Sequence, residues 1–196
     1  MAKAQRIARP LSREQIEDMA WKARNDFGLG PFDRVPVAHL LELVVPKLIP
    51  NYEIRVEDAG VLGGAEAITD AVRPIITFDE HVYEGMRRDQ ARYRMTGIHE
   101  LGHLLLHTGQ TGLAFMAKPD PRVDLERQAD IFAEAFMMPE CAFRQVGSIR
   151  EAMNRFGVSK DAACFRARAL KMNWLIGGKR PPQRAKKKGY SKSRTP

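Results

Sequence analysis

The stretch MTGIHELGHLLLH, residues 95–107, determines how the rest of the chain is interpreted. Its centre is an HExxH motif, because His99 and His103 stand four residues apart and Glu100 directly follows the first histidine. In a helix the two imidazoles project from one face on successive turns, so both can reach one ion. The spacing therefore predicts a metal-binding helix.

Zinc suits this arrangement, since two histidines and one carboxylate leave a fourth position open for a water molecule. The metal would lower the pKa of that water, and Glu100 is placed to take its proton during attack on an amide carbonyl. These residues therefore predict zinc-dependent peptide hydrolysis. The competing interpretation, a core helix with two hydrogen-bonded histidines, would bury Glu100 without a partner.

The third metal ligand is expected from the segment DLERQADIFAEAFMMP, residues 124–139. Glu126 and Asp130 are four residues apart on a helix whose other face is apolar. We expect Glu126 to bind the metal and Asp130 to accept a hydrogen bond from a ligand histidine. Glu134, one turn further, is the second choice as ligand, and a solvated acidic face is the alternative interpretation.

Three residues near the motif are candidates for stabilising the negative charge that develops on the substrate carbonyl. Tyr93, Arg94 and His107 qualify because chain proximity could bring them to the metal. His107 lies about 12 Å beyond His99 along the helix axis, too far to bind the same ion. We expect it at the helix end or beside a ligand histidine.

The two motifs together resemble those of the ImmA/IrrE family of bacterial and phage metallopeptidases. RYRMTGIHELGHLLLH, residues 92–107, precedes ERQADIFAEAFMMP, residues 126–139, in the order that the family shows. The likeness extends more weakly over about residues 13–175. It implies a zincin-like fold and a DNA-binding repressor as substrate, often a helix-turn-helix protein, whose cleavage activates stress-response or mobile-element genes.

The same resemblance implies a role for each motif residue. His99, His103 and Glu126 would be the zinc ligands, and Glu100 would be the catalytic base.

The remaining patterns predict an α+β fold. A helix is expected over Arg13–Asp26 after a Ser12 cap, and a second from Val37 is expected to end at Pro46 and Pro50. Two or three short strands follow, then helices up to Trp174. We expect a metallopeptidase domain with a short β-sheet over residues 1–140, a helical hairpin over 141–177 and a disordered basic tail over 178–196.

The net charge of +8 belongs to that tail. Without its eight cations the chain has 24 basic and 24 acidic residues, so the tail alone predicts weak contact with a polyanion such as nucleic acid. A solubilising tail is the alternative. The cations are Lys179, Arg180, Arg184, Lys186, Lys187, Lys188, Lys192 and Arg194.

A second class of function, a DNA-binding regulator with a structural or sensory zinc site, competes with the peptidase. The segment around FGVSKDAACFRARAL, residues 156–170, is typical of helix, glycine turn, helix, and it offers Arg166 and Arg168 to DNA. A short packing hairpin is the alternative interpretation. A closed zinc site would need a fourth protein ligand, which the sequence does not offer, and this favours an enzyme.

The expected location is the cytoplasm. No signal-peptide pattern follows Met1, and no segment approaches about 18 uncharged apolar residues. Cys141 and Cys164 form no CxxC pair, so both are expected to be reduced thiols in the core.

Overall fold

A capped helix opens the part of the chain that this computed structural model describes, residues 10–107 and 124–177. Helix α1 spans Arg13–Asp26, which confirms the prediction, and Ser12 forms a capping box with Gln15. The box satisfies amide groups that the first helical turn leaves without partners. The buried side chains of α1, which include Ile16 and Ala20, pack the helix against the core.

The second helical stretch differs from its prediction. It is built from α2 (Val37–His39), a π-helical turn (Leu40–Val44) and α3 (Val45–Leu48). The prediction that Pro46 ends the helix was wrong, because the chain stays helical for two more residues. A proline lacks an N–H and crowds the preceding turn, and the wider π-turn just before it accommodates that loss.

Three strands form a small mixed sheet. Strand β1 spans Glu53–Glu57, β2 spans Ala67–Asp70 and β3 spans Ile75–Asp79. The spatial order is β1, β3, β2, with β1 parallel and β2 antiparallel to the central strand. Strand β2 is therefore an edge strand.

One face of the sheet packs on the helices. Ile76 and Phe78 of the central strand point to this face and are fully buried. Thr69 of β2 lies opposite Ile76, so its side chain is on the same face. The register of a single strand pair thus directs a threonine toward the helix that contains the HExxH motif.

That helix is packed closely against its neighbour. Helix α4 spans Glu80–Arg87, α5 spans Ala91–His107 and α6 spans Leu125–Met137. Gly102, the glycine of HELGH, faces α6, and a Cβ there would lie 3.3 Å from the Cα of Ala129. The missing side chain allows the close approach that brings residues of α6 to the two histidines.

A helical hairpin completes the described chain, as the sequence predicts. Helix α7 spans Glu140–Phe143, α8 spans Ile149–Phe156, α9 spans Lys160–Ala169, and a 3₁₀ turn covers Asn173–Ile176. Gly157 makes the turn between α8 and α9 with a φ of +63°, in the left-handed region that glycine adopts easily.

The hairpin is joined to the rest of the fold by buried polar contacts. Arg166 of α9 is only 1% exposed; its Nε donates to the carbonyl of Met138 at 2.9 Å, and its Nη1 lies 2.7 Å from Glu17. The prediction that Arg166 is available to DNA was therefore wrong. These contacts also cross the boundary expected between residues 140 and 141.

The architecture is α+β, as predicted. Among the described residues, no helix has the length and apolar content needed to cross a membrane. Cys164 is buried, but Cys141 is exposed, so the prediction of two core thiols holds for one of them. The basic tail, residues 178–196, lies outside the described residues.

Candidate metal centre

Three ligand atoms from α5 and α6 converge on one point. The Nε2 atoms of His99 and His103 are 3.0 Å apart. One carboxylate oxygen of Glu126 lies 3.2 Å from the Nε2 of His99, and the other lies 3.4 Å from that of His103. The helical spacing of the histidines and the position of Glu126 in the first turn of α6 produce this convergence.

These separations suit a small divalent cation. Ligands about 2.0–2.1 Å from a tetrahedral zinc ion lie about 3.3 Å from one another, close to the three separations observed. All three groups can present lone pairs to the same point, an arrangement that a cation stabilises. The residues present therefore fit a metal ion held by two nitrogens and one carboxylate.

The outer nitrogens of both histidines also have neighbours. The Nδ1 of His99 lies 2.9 Å from a carboxylate oxygen of Asp130, and the Nδ1 of His103 lies 3.2 Å from the Nδ1 of His107. An N–H at Nδ1 of His99 would donate to Asp130 and leave the Nε2 lone pair for a metal. Asp130 thus orients one imidazole, and His107 lies behind the other.

Charge around His99 affects its protonation in the metal-free chain. Burial lowers the pKa of His99, but the hydrogen bond to Asp130 and the charges of Glu100, Asp130 and Glu126 raise it by more, so the net shift is upward. The surroundings of His99 therefore favour positive charge.

Glu100 lies beside the histidines and is held by the sheet. It is 7% exposed, and the hydroxyl of Thr69 donates to its Oε2 at 2.6 Å. The carbonyl oxygen of Glu100 lies 3.2 Å from the same hydroxyl. The sequence did not identify Thr69, because only the pairing of β2 with β3 shows which face of the sheet its side chain occupies.

Two of the three candidates for oxyanion stabilisation lie elsewhere. Arg94 is 0% exposed and donates to the carbonyls of Val35, Phe156 and Gly157. Tyr93 packs against Gly85 in α4. Chain proximity was a poor guide here, because residues five and six positions before His99 project from other sides of the helix.

One of the candidate metal ligands, His99, borders an open groove of about 700 Å³. Strand β2, α5 and α6 form its sides, and His99 and Glu100 are among the residues that line it. Helix α9 contributes Asp161 and Phe165 to the lining. Both belong to the segment for which DNA binding and packing were the alternative interpretations. Glu134, the second choice as ligand, also lines the groove and lies 3.4 Å from Arg13.

Comparison with known proteins gives a family match and distant structural likenesses. The model of the IrrE N-terminal-like domain matches residues 76–168, which include both motif helices. No curated protein matches the chain. Among solved structures, a Mycobacterium tuberculosis transcriptional regulator is similar at 18% identity and a TM-score of 0.42. That likeness covers 89% of this chain, which spans 54% of the regulator.

Proposed function

The IrrE N-terminal-like domain at residues 76–168 supports membership of this chain in the ImmA/IrrE family, and from that premise we propose that the chain is a zinc-dependent endopeptidase. It makes a limited cut in a regulatory protein. The main support is the convergence of ligand atoms from His99, His103 and Glu126 beside a groove that Glu100 also lines. Helices α5 and α6 would then be the ligand-bearing part of a zincin-like core.

The proposed chemistry divides between the metal and the chain. When bound, a zinc ion supplies Lewis acidity that activates water and polarises a peptide carbonyl. Glu100 accepts the proton of the attacking water and donates it to the leaving amine. Its buried carboxylate, a neighbour of His99 in the chain, lies on the groove side of α5, which suits this role.

Thr69 is a positioning residue in this proposal. Its hydroxyl donates to Oε2 of Glu100 at 2.6 Å, which restricts the rotation of the carboxylate. The same contact fixes the direction of the other carboxylate oxygen, Oε1, which is left to accept the proton of the water and to donate it to the leaving amine. Since Thr69 belongs to the edge strand, the sheet helps to orient the carboxylate of Glu100.

The edge of β2 provides a path for the substrate chain. Within the described residues, β2 pairs with β3 alone among the strands, so it forms an edge of the sheet, the position at which an added strand can pair. The groove is lined in part by Ala67 of this strand. An extended peptide could pair with that edge and pass in front of His99 and Glu100.

The substrate class rests on the family. Relatives cleave DNA-binding repressors, so we propose a helix-turn-helix repressor as the target and control of transcription as the outcome. The competing DNA-binding function has less support than the sequence suggested, because Arg166 is buried in the fold. Contact of the basic tail with nucleic acid remains a prediction.

Metal content is the first test of the proposal. The purified chain should contain about one zinc ion by elemental analysis, and Glu126→Ala should lose most of it. Glu14→Ala is a matched control, because Glu14 is also an acid in the first turn of a helix and is exposed. A chain that neither contains nor regains a metal would contradict the proposed function.

Cleavage is the second test. The zinc-loaded chain should convert a helix-turn-helix repressor encoded near its gene into two fragments detected by mass spectrometry, and Glu100→Gln should not. Cleavage by Glu100→Gln at the wild-type rate would remove Glu100 from the mechanism.

A further inference from the structure

Helix α9 forms one wall of the groove and carries a surface that the proposed chemistry does not use. Asp161 and Phe165 are four residues apart, so they lie on the same face of the helix and both line the groove. Both are exposed. The segment that resembled a DNA-reading helix therefore presents an acid and an aromatic ring to whatever occupies the groove.

The groove is acidic. Among the described residues, its lining contains four carboxylates besides Glu100 and one cation, Arg92, which pairs with Glu66. No cation of the described residues pairs with Asp161, and a divalent ion at the metal centre would not neutralise the whole set. The other three acids of the lining are Asp130, Glu134 and Glu66.

The floor beneath these acids is apolar. Phe165 is 58% exposed, an unusual exposure for a phenylalanine, and Met95, Ala133 and Ala162 lie in the same lining. The guanidinium of Arg168 already lies 5.5 Å from the centre of the Phe165 ring. An exposed aromatic ring beside several acids suits a side chain with an aliphatic stem and a positive end, and the contact with Arg168 shows that the ring can pack against such a side chain.

We propose that α9 selects the substrate: the groove binds an extended segment that carries a lysine or arginine close to the cleaved bond. Phe165 contacts the aliphatic stem of that side chain, and Asp161 pairs with its charged end. This inference rests on the proposed function and adds a substrate preference to it. Charge complementarity between the acidic lining and a cationic segment is the argument for this occupant.

A cleavage profile tests the preference directly. The zinc-loaded chain would be incubated with bacterial peptides prepared with a glutamate-specific protease, and the new termini read by mass spectrometry. We expect lysine or arginine to be enriched about tenfold over alanine at one position within three residues of the cut. Asp161→Asn and Phe165→Ala should each lower that enrichment about threefold, and Asp161→Lys should favour acidic residues instead.

Glu80→Gln is the matched control, because Glu80 is an exposed acid in the first turn of α4 and does not line the groove. It should leave the profile unchanged. A wild-type profile without basic enrichment, or enrichment that Asp161→Lys does not alter, would overturn the inference while leaving the peptidase itself intact.

Binding separates the two possible failures. Fluorescence anisotropy with zinc-loaded Glu100→Gln would compare a labelled decapeptide that has one central lysine with its alanine and glutamate versions. Tighter binding of the lysine peptide, weakened by Asp161→Asn, would support the inference even if no peptide is cut, in which case the proposed function fails. Equal binding of the three peptides would overturn the inference.

The chain's own basic tail is the rival occupant. If deletion of residues 178–196 leaves the order of the three affinities unchanged, the groove is free for a substrate, as proposed. If deletion tightens the binding of all three peptides alike and abolishes the preference, the tail fills the groove and the assignment to a substrate is wrong.

Discussion

Helix α5 places polar side chains in two different surroundings, one near its start and one around its centre. Near its start, the guanidinium of Arg94 is surrounded by carbonyl oxygens of Val35, Phe156 and Gly157, so donors meet acceptors. Five and nine residues later in the same helix, the Nε2 atoms of His99 and His103 face each other and a carboxylate, so groups that can all present lone pairs meet.

This difference separates a structural polar site from a functional one. The guanidinium of Arg94 faces carbonyl acceptors and, at Nε, the carboxylate of Asp89 at 2.9 Å, and it joins α5 to the turn between α8 and α9. The histidine cluster brings together groups that can all present lone pairs to one point, an arrangement that a cation would stabilise. Hydrogen-bond complementarity, more than burial or charge, therefore distinguishes the two.

The largest expected effect is on catalysis at the histidine cluster. Glu100→Gln should lower kcat/KM for repressor cleavage by about 10²–10⁴-fold, the range expected for loss of a general base. Zinc content and the thermal midpoint should stay the same, which elemental analysis and calorimetry would check. Loss of the metal together with activity would mean that Glu100 acts by holding the fold and not as a base.

The next effect concerns the contribution of Arg94, near the start of α5, to stability. Arg94→Met should lower the free energy of unfolding by about 3–5 kcal/mol, since it leaves several buried carbonyls without donors. Urea denaturation would measure it. Arg55→Met, at an exposed pair with Glu53, is the control and should leave the unfolding curve in place. A stable Arg94→Met chain that no longer cleaves would reverse the structural interpretation of this residue.

A smaller effect is expected for the carboxylate behind His99. Asp130→Asn should weaken zinc affinity about 10–100-fold, because the imidazole loses the acceptor that orients it. Competition with a chromogenic chelator would measure the affinity. Glu134→Gln, in the next turn of α6, should bind zinc like the wild type. Equal affinities of Asp130→Asn and wild type would show that the contact with His99 has no influence on the metal.

Thr69 should have a still smaller influence. Thr69→Val should lower kcat about tenfold and leave KM unchanged, because it removes one hydrogen bond that orients Glu100. Thr69→Ser keeps the hydroxyl and should restore most of kcat. A drop in kcat that serine does not rescue would point to altered packing of β2.

The smallest effect is expected at a polar contact remote from both clusters. Burial, followed by the hydrogen bond to Glu42, raises the pKa of Tyr83 to about 12. The folded state therefore holds this proton more tightly than the unfolded state, so the stabilisation is full below about pH 10 and is lost as the pH rises through about 12. Denaturation between pH 9 and 11, with or without zinc, would measure the free energy of unfolding of wild type and Tyr83→Phe. The value of the wild type should fall relative to that of the variant as the pH rises.

Local patterns in the sequence were sufficient for the parts of the fold that depend on neighbouring residues. Helix α1 begins and ends where its cap and periodicity predicted, and HELGH and the α6 motif are helical. The groove wall and the partners of Arg94 and Thr69 depend on contacts between distant segments, which one sequence does not encode in a readable pattern. At Pro46 the local rule that a proline ends a helix does not hold, because a π-turn precedes it and the chain stays helical.

The position of β2 at the edge of the sheet also affects how the protein behaves at high concentration. An unpaired strand edge can join the edge of another molecule and start aggregation. Here the edge is only four residues long and ends in Asp70, so a second molecule finds few amide groups to pair with and a charge at the end. A short strand can thus accept a peptide briefly and still resist the growth of an intermolecular sheet.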